Sequence, residues 1–335
     1  MRNNTDNEQA QADRKISNLT AIHCYDFDQF FPHVIDAIQN YAKILDLEDA
    51  INVCKNAEIP KQDREQRYFK FFKAVKTDVL PLVYDEIKNL IPEWIELLTI
   101  DDNIVCVHTM NVLYLTINDA YYKSLNKEDQ NIMKWAILLH DIKKLGPPHF
   151  TGKDHNHPFK GGKAVLEVFR RIGLIRAEES IYNTVLEFIE NSKQEADPKI
   201  NSIIPFGQKA CQEMHSHQYL SDIFLLIWQK ISKRGTFVDM VFRLVFFHQS
   251  LIGIKAIPAA VPLTQEERLI YCDEHFFKLI KLLMINDSVS YMYVMDFDDK
   301  LNQCLHDFEE SSEMMLNDYN QRKALLEFHL KTGQL

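Results

Sequence analysis

A chain of 335 residues, 46% hydrophobic and 26% charged, has material for about two domains, or one domain with extensions, and for a sizeable core. A net charge of -10 argues against a broad nucleic-acid-binding surface. The most apolar run, VFRLVFFHQSLIGIKAIPAAV, is interrupted by Arg243, His248 and Lys255, which excludes a bilayer span of about 20 apolar residues.

The first 20 residues are polar and carry no apolar leader core, so they predict a disordered start and no secretory signal. Six cysteines, at 24, 54, 106, 211, 272 and 304, form no CxxC pair and fit reduced thiols in a cytoplasmic protein. Only nine glycines occur, and no stretch alternates with period two. Apolar residues instead recur at three- and four-residue spacing, which predicts helices throughout. In chain order these are 30–56, 64–75 and 78–98, with Pro81 and Pro92 starting or kinking helices. Then come 104–125, 127–144, 158–174 and 178–192, followed by 221–233, for which Ser221 is the expected cap. The segments 237–251, 264–293 and an amphipathic tail from Asp298 to Lys331 complete an all-α chain without internal repeats. The longest helix-free segments, 145–157 and 195–218, are of a length that is uncommon inside a domain and often functional.

The chemistry concentrates at WAILLHDIKKLGPP, where an apolar helix ends in His140 and Asp141. Histidine alone at a helix C-terminus is a favourable dipole contact, but the aspartate beside it is electrostatically wrong for that explanation. A metal explains both, provided that further imidazoles and carboxylates converge from other elements. His108 lies on the apolar helix IVCVHTMNVLYL, where a hydrogen-bonded core histidine is the ordinary explanation. Asp287 lies four residues after Leu283 and seven after Ile280, on the apolar stripe of its helix, and a buried carboxylate needs a partner or a metal. His248 follows the apolar turn RLVFF. The HSH at 215–217 suits a strand, lacks an evident carboxylate partner and is not expected to bind metal.

This ordered set of contexts resembles the HD-domain phosphohydrolases, named for their His–Asp doublet. The resemblance rests on His108, on LLHDIKK with His140, Asp141 and Lys144, on NHPFKGGKAV with His157, on RLVFFHQ with His248, and on KLLMINDSVSY with Asp287. It spans roughly 104–293 and implies an HD-type helical bundle at 101–295 with an insertion about 193–236. A helical region at 21–100 and a C-terminal helix at 296–335 would flank that bundle. The family's fourth histidine is absent from LEFIENS (186–192), and His248, beyond the insertion, is assigned its role. Lys143 stands where the family usually has glycine.

The resemblance implies that His108, His140, Asp141 and Asp287 bind a first divalent ion, with His157 and His248 completing a second site and Asp141 bridging. Mg, Mn, Fe, Zn, Ni and Co are all open, as is whether one ion binds or two. It further implies hydrolysis of a nucleotide or other phosphate ester by a metal-activated water. Lys144 would contact a phosphate oxygen, in a loop made basic by Lys153, His155 and Lys160. HQSLIGIKAIPAAV lacks the GYP signature of the cyclic-dinucleotide branch, and Lys143 and Lys144 replace the acidic pair of the alarmone-hydrolase branch. The region HFTGKDHNHPFKGG is similar to that of tRNA nucleotidyltransferases, but no Gly-rich strand motif precedes it. A small phosphorylated substrate is the expected partner, with the terminal helices available for homo-oligomerisation. The competing reading is a binding or regulatory module that keeps the scaffold and has lost catalysis.

Overall fold

Every position from Val105 to Ile117 is buried, so the helix they form, with no exposed face, has to be enclosed by other elements. The computed structural model describes residues 25–45, 60, 62–63, 66, 73–150, 152–154, 156–195, 209–210, 213–250, 263–290 and 298–332. Among them the chain is helical, as its spacing predicts. The expected disordered start, most of the helix at 64–75, and His155 lie outside the described residues.

Helices α1 (Phe27–Phe30) and α2 (Val34–Leu45) are followed by a π-helical turn, Val75–Val79, that runs into α3 (Leu80–Leu90). Pro81 sits in the first turn of α3, and Pro92 precedes the short α4 (Trp94–Leu97). The central helix α5 (Ile104–Asn118) is separated from α6 (Ala120–Ser124) by Asp119, whose carboxylate accepts from the amides of Tyr121 and Tyr122. Asn126 caps α7 (Lys127–His140) by accepting from the amide of Asp129. Then follow α8 (His157–Arg171), α9 (Glu179–Asn191), α10 (Leu220–Leu226) with a π-helical extension to Ile231, and α11 (Phe237–Phe247). The series ends with α12 (Gln265–Tyr271), α13 (Glu274–Ser290) and α14 (Asp298–Thr332).

Helices α5, α7 and α11 form the centre, with α8 against α11 and α13 against α5. Two glycines allow α8 its close approach: a Cβ on Gly161 would meet Val245 at 2.9 Å, and one on Gly162 would meet the Phe246 ring at 2.5 Å. The N-terminal segment packs on α7 through Trp135, whose indole donates to the Tyr25 carbonyl at 3.0 Å and whose ring meets Phe27, Phe30 and Phe31 edge-on.

Five expectations are corrected. The expected helix at 104–125 is two, α5 and α6, broken at Asp119. The helix of the doublet ends at His140, with Asp141 as its cap, so Lys143 and Lys144 lie in the turn beyond it and not on the helix. The expected helix at 264–293 is two: α12 opens with a reciprocal capping box between Thr264 and Glu267, and Asp273 restarts the chain by accepting from the Phe276 amide at 2.9 Å. Ser221 is not the cap of α10; Tyr219 holds that position and makes no side-chain cap hydrogen bond. Two short ladders also cross the helix-free segments. Strand β1 (Gly152–Lys153) pairs parallel with β3 (Lys209–Ala210), and β2 (Lys193–Glu195) pairs antiparallel with β4 (Glu213–His215). Among the described residues no helix is long and apolar enough to cross a membrane.

Candidate metal centre

Four histidines reach one volume from four elements. His108 projects from the first turns of α5, His140 is the last residue of α7, His157 is the first of α8, and His248 directly follows α11. Three of them share one local device. The Nδ1 of His140 donates to the Ile137 carbonyl at 2.7 Å, and that of His248 to the Val245 carbonyl at 2.7 Å. His157 Nδ1 donates to the Asp154 carbonyl, again three residues earlier. A carbonyl only accepts, so each Nδ1 carries the proton and each Nε2 presents a lone pair.

His108 reaches the same state differently. Its Nδ1 lies 2.7 Å from Ser290 Oγ, and that hydroxyl donates its proton to the Asp287 carbonyl at 2.6 Å. The hydroxyl therefore accepts from His108 Nδ1–H, and His108 Nε2 is also a lone pair.

These nitrogens crowd together with two carboxylates. His108 Nε2 lies 3.3 Å from His140 Nε2 and 2.9 Å from Asp287 Oδ1. His157 Nε2 lies 3.0 Å from His248 Nε2 and 2.9 Å from Asp141 Oδ1. Asp141 faces both groups: its Oδ2 is 3.4 Å from His108 Nε2 and 3.6 Å from His140 Nε2, while its Oδ1 serves His157 and His248. Two sets result, His108–His140–Asp287 and Asp141–His157–His248, each of two imidazoles and one carboxylate with ligand atoms within 4.8 Å of one another.

This arrangement fits a cation and is poorly satisfied without one. Asp141 Oδ1 and Asp287 Oδ1 are buried atoms with no hydrogen-bond donor, and their near neighbours are imidazole nitrogens turned lone pair inward. Burial pushes His108 below its ordinary value and His248 down to about 3, with His157 and His140 adding to the effect at His248. Both therefore stay neutral, the form that ligates. Burial does not raise Asp141, which Lys144 beside it holds well below the usual carboxylate range.

All six residues expected to bind metal thus come together, including His248 from beyond the insertion. Lys144 does not stand off from them: its Nζ lies 2.6 Å from Asp141 Oδ2. The 215–217 histidines stay apart from both sets. His215 is stacked on Phe159 at 4.5 Å, and His217 has a carboxylate partner after all, Glu267 at 3.0 Å.

The sequence reading missed Asp154 and Ser290. Buried Asp154 accepts from the amides of Leu145 and Asn156 at 3.0 Å each, which folds the 145–156 loop back so that its carbonyl meets His157. The available signal for Ser290 was its place three residues after Asp287 on the same apolar stripe.

Residues 105–204 match the family model of the HD domain. No curated protein and no solved structure gives a significant match to the chain.

Proposed function

Because the chain carries an HD domain, the hallmark of a superfamily made up mostly of metal-dependent phosphohydrolases, we propose that it hydrolyses a nucleotide or a related phosphate ester with the help of a divalent metal. The observation that supports this most is the convergence of four imidazole lone pairs on two buried, donorless carboxylate oxygens. His108, His140 and Asp287 would hold one ion and Asp141, His157 and His248 a second, with Asp141 turning one oxygen to each. Two imidazoles per set favour a transition ion over magnesium, which prefers oxygen ligands. Bound there, such an ion supplies Lewis acidity and lowers the pKa of a water ligand from about 16 toward 7.

The chain's own residues set the approach of the substrate. The four imidazoles and Asp141 are almost wholly buried, whereas Asp287 and Lys144 retain 22% and 21% side-chain exposure. An anionic group therefore approaches along the edge that carries the Lys144 ammonium. There Lys144 exchanges the Asp141 carboxylate for a phosphate oxygen and offsets the charge that develops on it. Gln249, whose carboxamide nitrogen lies 3.3 Å from His157 Nε2, borders the other set and offers a second polar contact.

The test is phosphate release from a panel of nucleotides, cyclic nucleotides and p-nitrophenyl phosphate, with Mn²⁺ supplied and with EDTA. Release that needs the metal and falls by about two orders of magnitude in His140→Ala supports the reading. Full turnover in His140→Ala overturns it, and so does a nucleotide that raises the melting temperature without being consumed.

A further inference from the structure

Ligand histidines usually owe their orientation to a partner on the nitrogen that does not ligate. Here three of the four partners are main-chain carbonyls, those of Ile137, Asp154 and Val245, which no substitution removes. The fourth is a side chain. We propose that Ser290 is the positioning residue of the metal centre, holding His108 in the one tautomer that can bind an ion. This rests on the metal-centre reading above.

His108 has two ways to place its single ring proton. On Nδ1 the proton goes to Ser290 Oγ at 2.7 Å. On Nε2 it would go to Asp287 Oδ1, which lies 2.9 Å away. The second choice uses up two ligand atoms of the same set in one hydrogen bond, and it sets the Nδ1 lone pair against that of Ser290 Oγ, whose proton goes to the Asp287 carbonyl. Nothing intrinsic to the imidazole prevents it, so a competing acceptor on Nδ1 is required.

Ser290 is built to be that acceptor and not a donor. Its hydroxyl proton is committed to the Asp287 carbonyl at 2.6 Å, three residues back on α13, which leaves the oxygen lone pairs for His108. Its own carbonyl accepts from Asn111 Nδ2 at 3.2 Å, and Asn111 lies three residues after His108 on α5. One residue is thereby tied to two of the three helices that supply this set, α5 and α13, and it is buried, so water does not stand in for the hydroxyl. Ser290 touches no reacting atom; it acts through His108 and Asp287.

The experiment compares wild type, Ser290→Ala and Ser290→Thr as full-length chains, with circular dichroism as the control for folding. The first readout needs neither metal nor substrate: ¹⁵N NMR of histidine-labelled, metal-free protein reports which ring nitrogen of His108 carries the proton. Wild type and Ser290→Thr are expected to show Nδ1–H, and Ser290→Ala to shift to Nε2–H. The second readout is calorimetric titration with Mn²⁺. Ser290→Ala is expected to lose about 10- to 100-fold in affinity at one site, with the Asp141–His157–His248 site unchanged and Ser290→Thr near wild type. His108 remaining Nδ1–H in Ser290→Ala, or Mn²⁺ affinity within about twofold of wild type, overturns the proposal. A wild type that binds no Mn²⁺ overturns the metal-centre reading instead, and the tautomer measurement keeps the two failures apart.

Discussion

Arg243 is fully buried on α11, five residues before His248, and its removal gives the sharpest stability prediction. Its guanidinium donates to Asp239 Oδ2 through Nε at 3.0 Å and lies 2.9 Å from it through a terminal nitrogen. The other terminal nitrogen donates to Asp273 at 2.9 Å and to the Tyr271 carbonyl at 3.1 Å. Breaking a buried pair by removing one partner costs about 3–5 kcal/mol, because the other charge is left uncompensated. Asp239 would still accept from the Trp228 indole and the Gly235 amide at 2.7 Å each, and Asp273 is partly exposed to water, so the lower half of that range applies. Arg243→Met is thus expected to destabilise by about 3–4 kcal/mol, read as a lowered urea midpoint. Asp239→Asn combined with Arg243→Met should recover part of the loss, since the orphaned charge is gone, giving a coupling of about 1–2 kcal/mol. A loss under about 1 kcal/mol, or strict additivity in the double variant, would refute the reasoning.

The remaining predictions concern pH, packing, the loop and metal linkage. Burial tends to raise Asp273, but Arg243 outweighs it and holds Asp273 below its ordinary value. A depressed carboxylate stabilises the fold fully above its unfolded value of about 3.9 and loses that contribution as pH falls through its folded value. Stability should therefore drop as pH falls below about 4, and the drop should be shallower in Arg243→Met, as urea unfolding at pH 5, 4 and 3 would measure. In Gly162→Ala the new methyl meets Phe246 and Phe242 at 2.5 and 3.2 Å. Overpacking of about 1–3 kcal/mol exceeds the helix-propensity gain of about 1 kcal/mol, and a melting temperature at or above wild type would contradict this. Asp154→Ala leaves two loop amides without their acceptor and slackens the carbonyl that orients His157, so Mn²⁺ affinity should fall while α-helical content is kept; unchanged titration curves would count against it. Adding metal at about 100 times its dissociation constant should stabilise wild type by about 2.7 kcal/mol and leave His108→Ala less stabilised, by differential scanning.

How much of this was legible in the sequence depended on the scale of the signal. The enclosed helix α5 and the apolar stripe that ends in Asp287 are written in hydrophobic spacing, so the all-α reading followed directly and Asp287 stood out, whereas His108 became a ligand candidate only through the family resemblance. His248 was legible because, like His140, it stands at the end of an apolar helix, where an imidazole can turn back to a carbonyl three residues earlier. The break at Cys272 and Asp273 was legible too, since Thr264 and Glu267 spell a capping box and Asp273 a new cap, but continuous apolar spacing masked it. The two ladders were not. They pair two- and three-residue pieces from distant loops, too short to show a period. Ser290 showed only its spacing from Asp287 and Asp154 showed no signal, because their importance lies in which partner's proton or carbonyl they commit, and that appears only when α5, α8 and α13 meet.

The central claim is that two sets of histidines and carboxylates, joined by Asp141, hold divalent metal. Elemental analysis of the protein after Mn²⁺ loading and desalting tests it most directly. The account predicts retained metal in wild type and in Lys144→Ala, and loss from both sets in Asp141→Ala, whose removed carboxylate faces each of them. Equal metal content in wild type and a folded Asp141→Ala would contradict it.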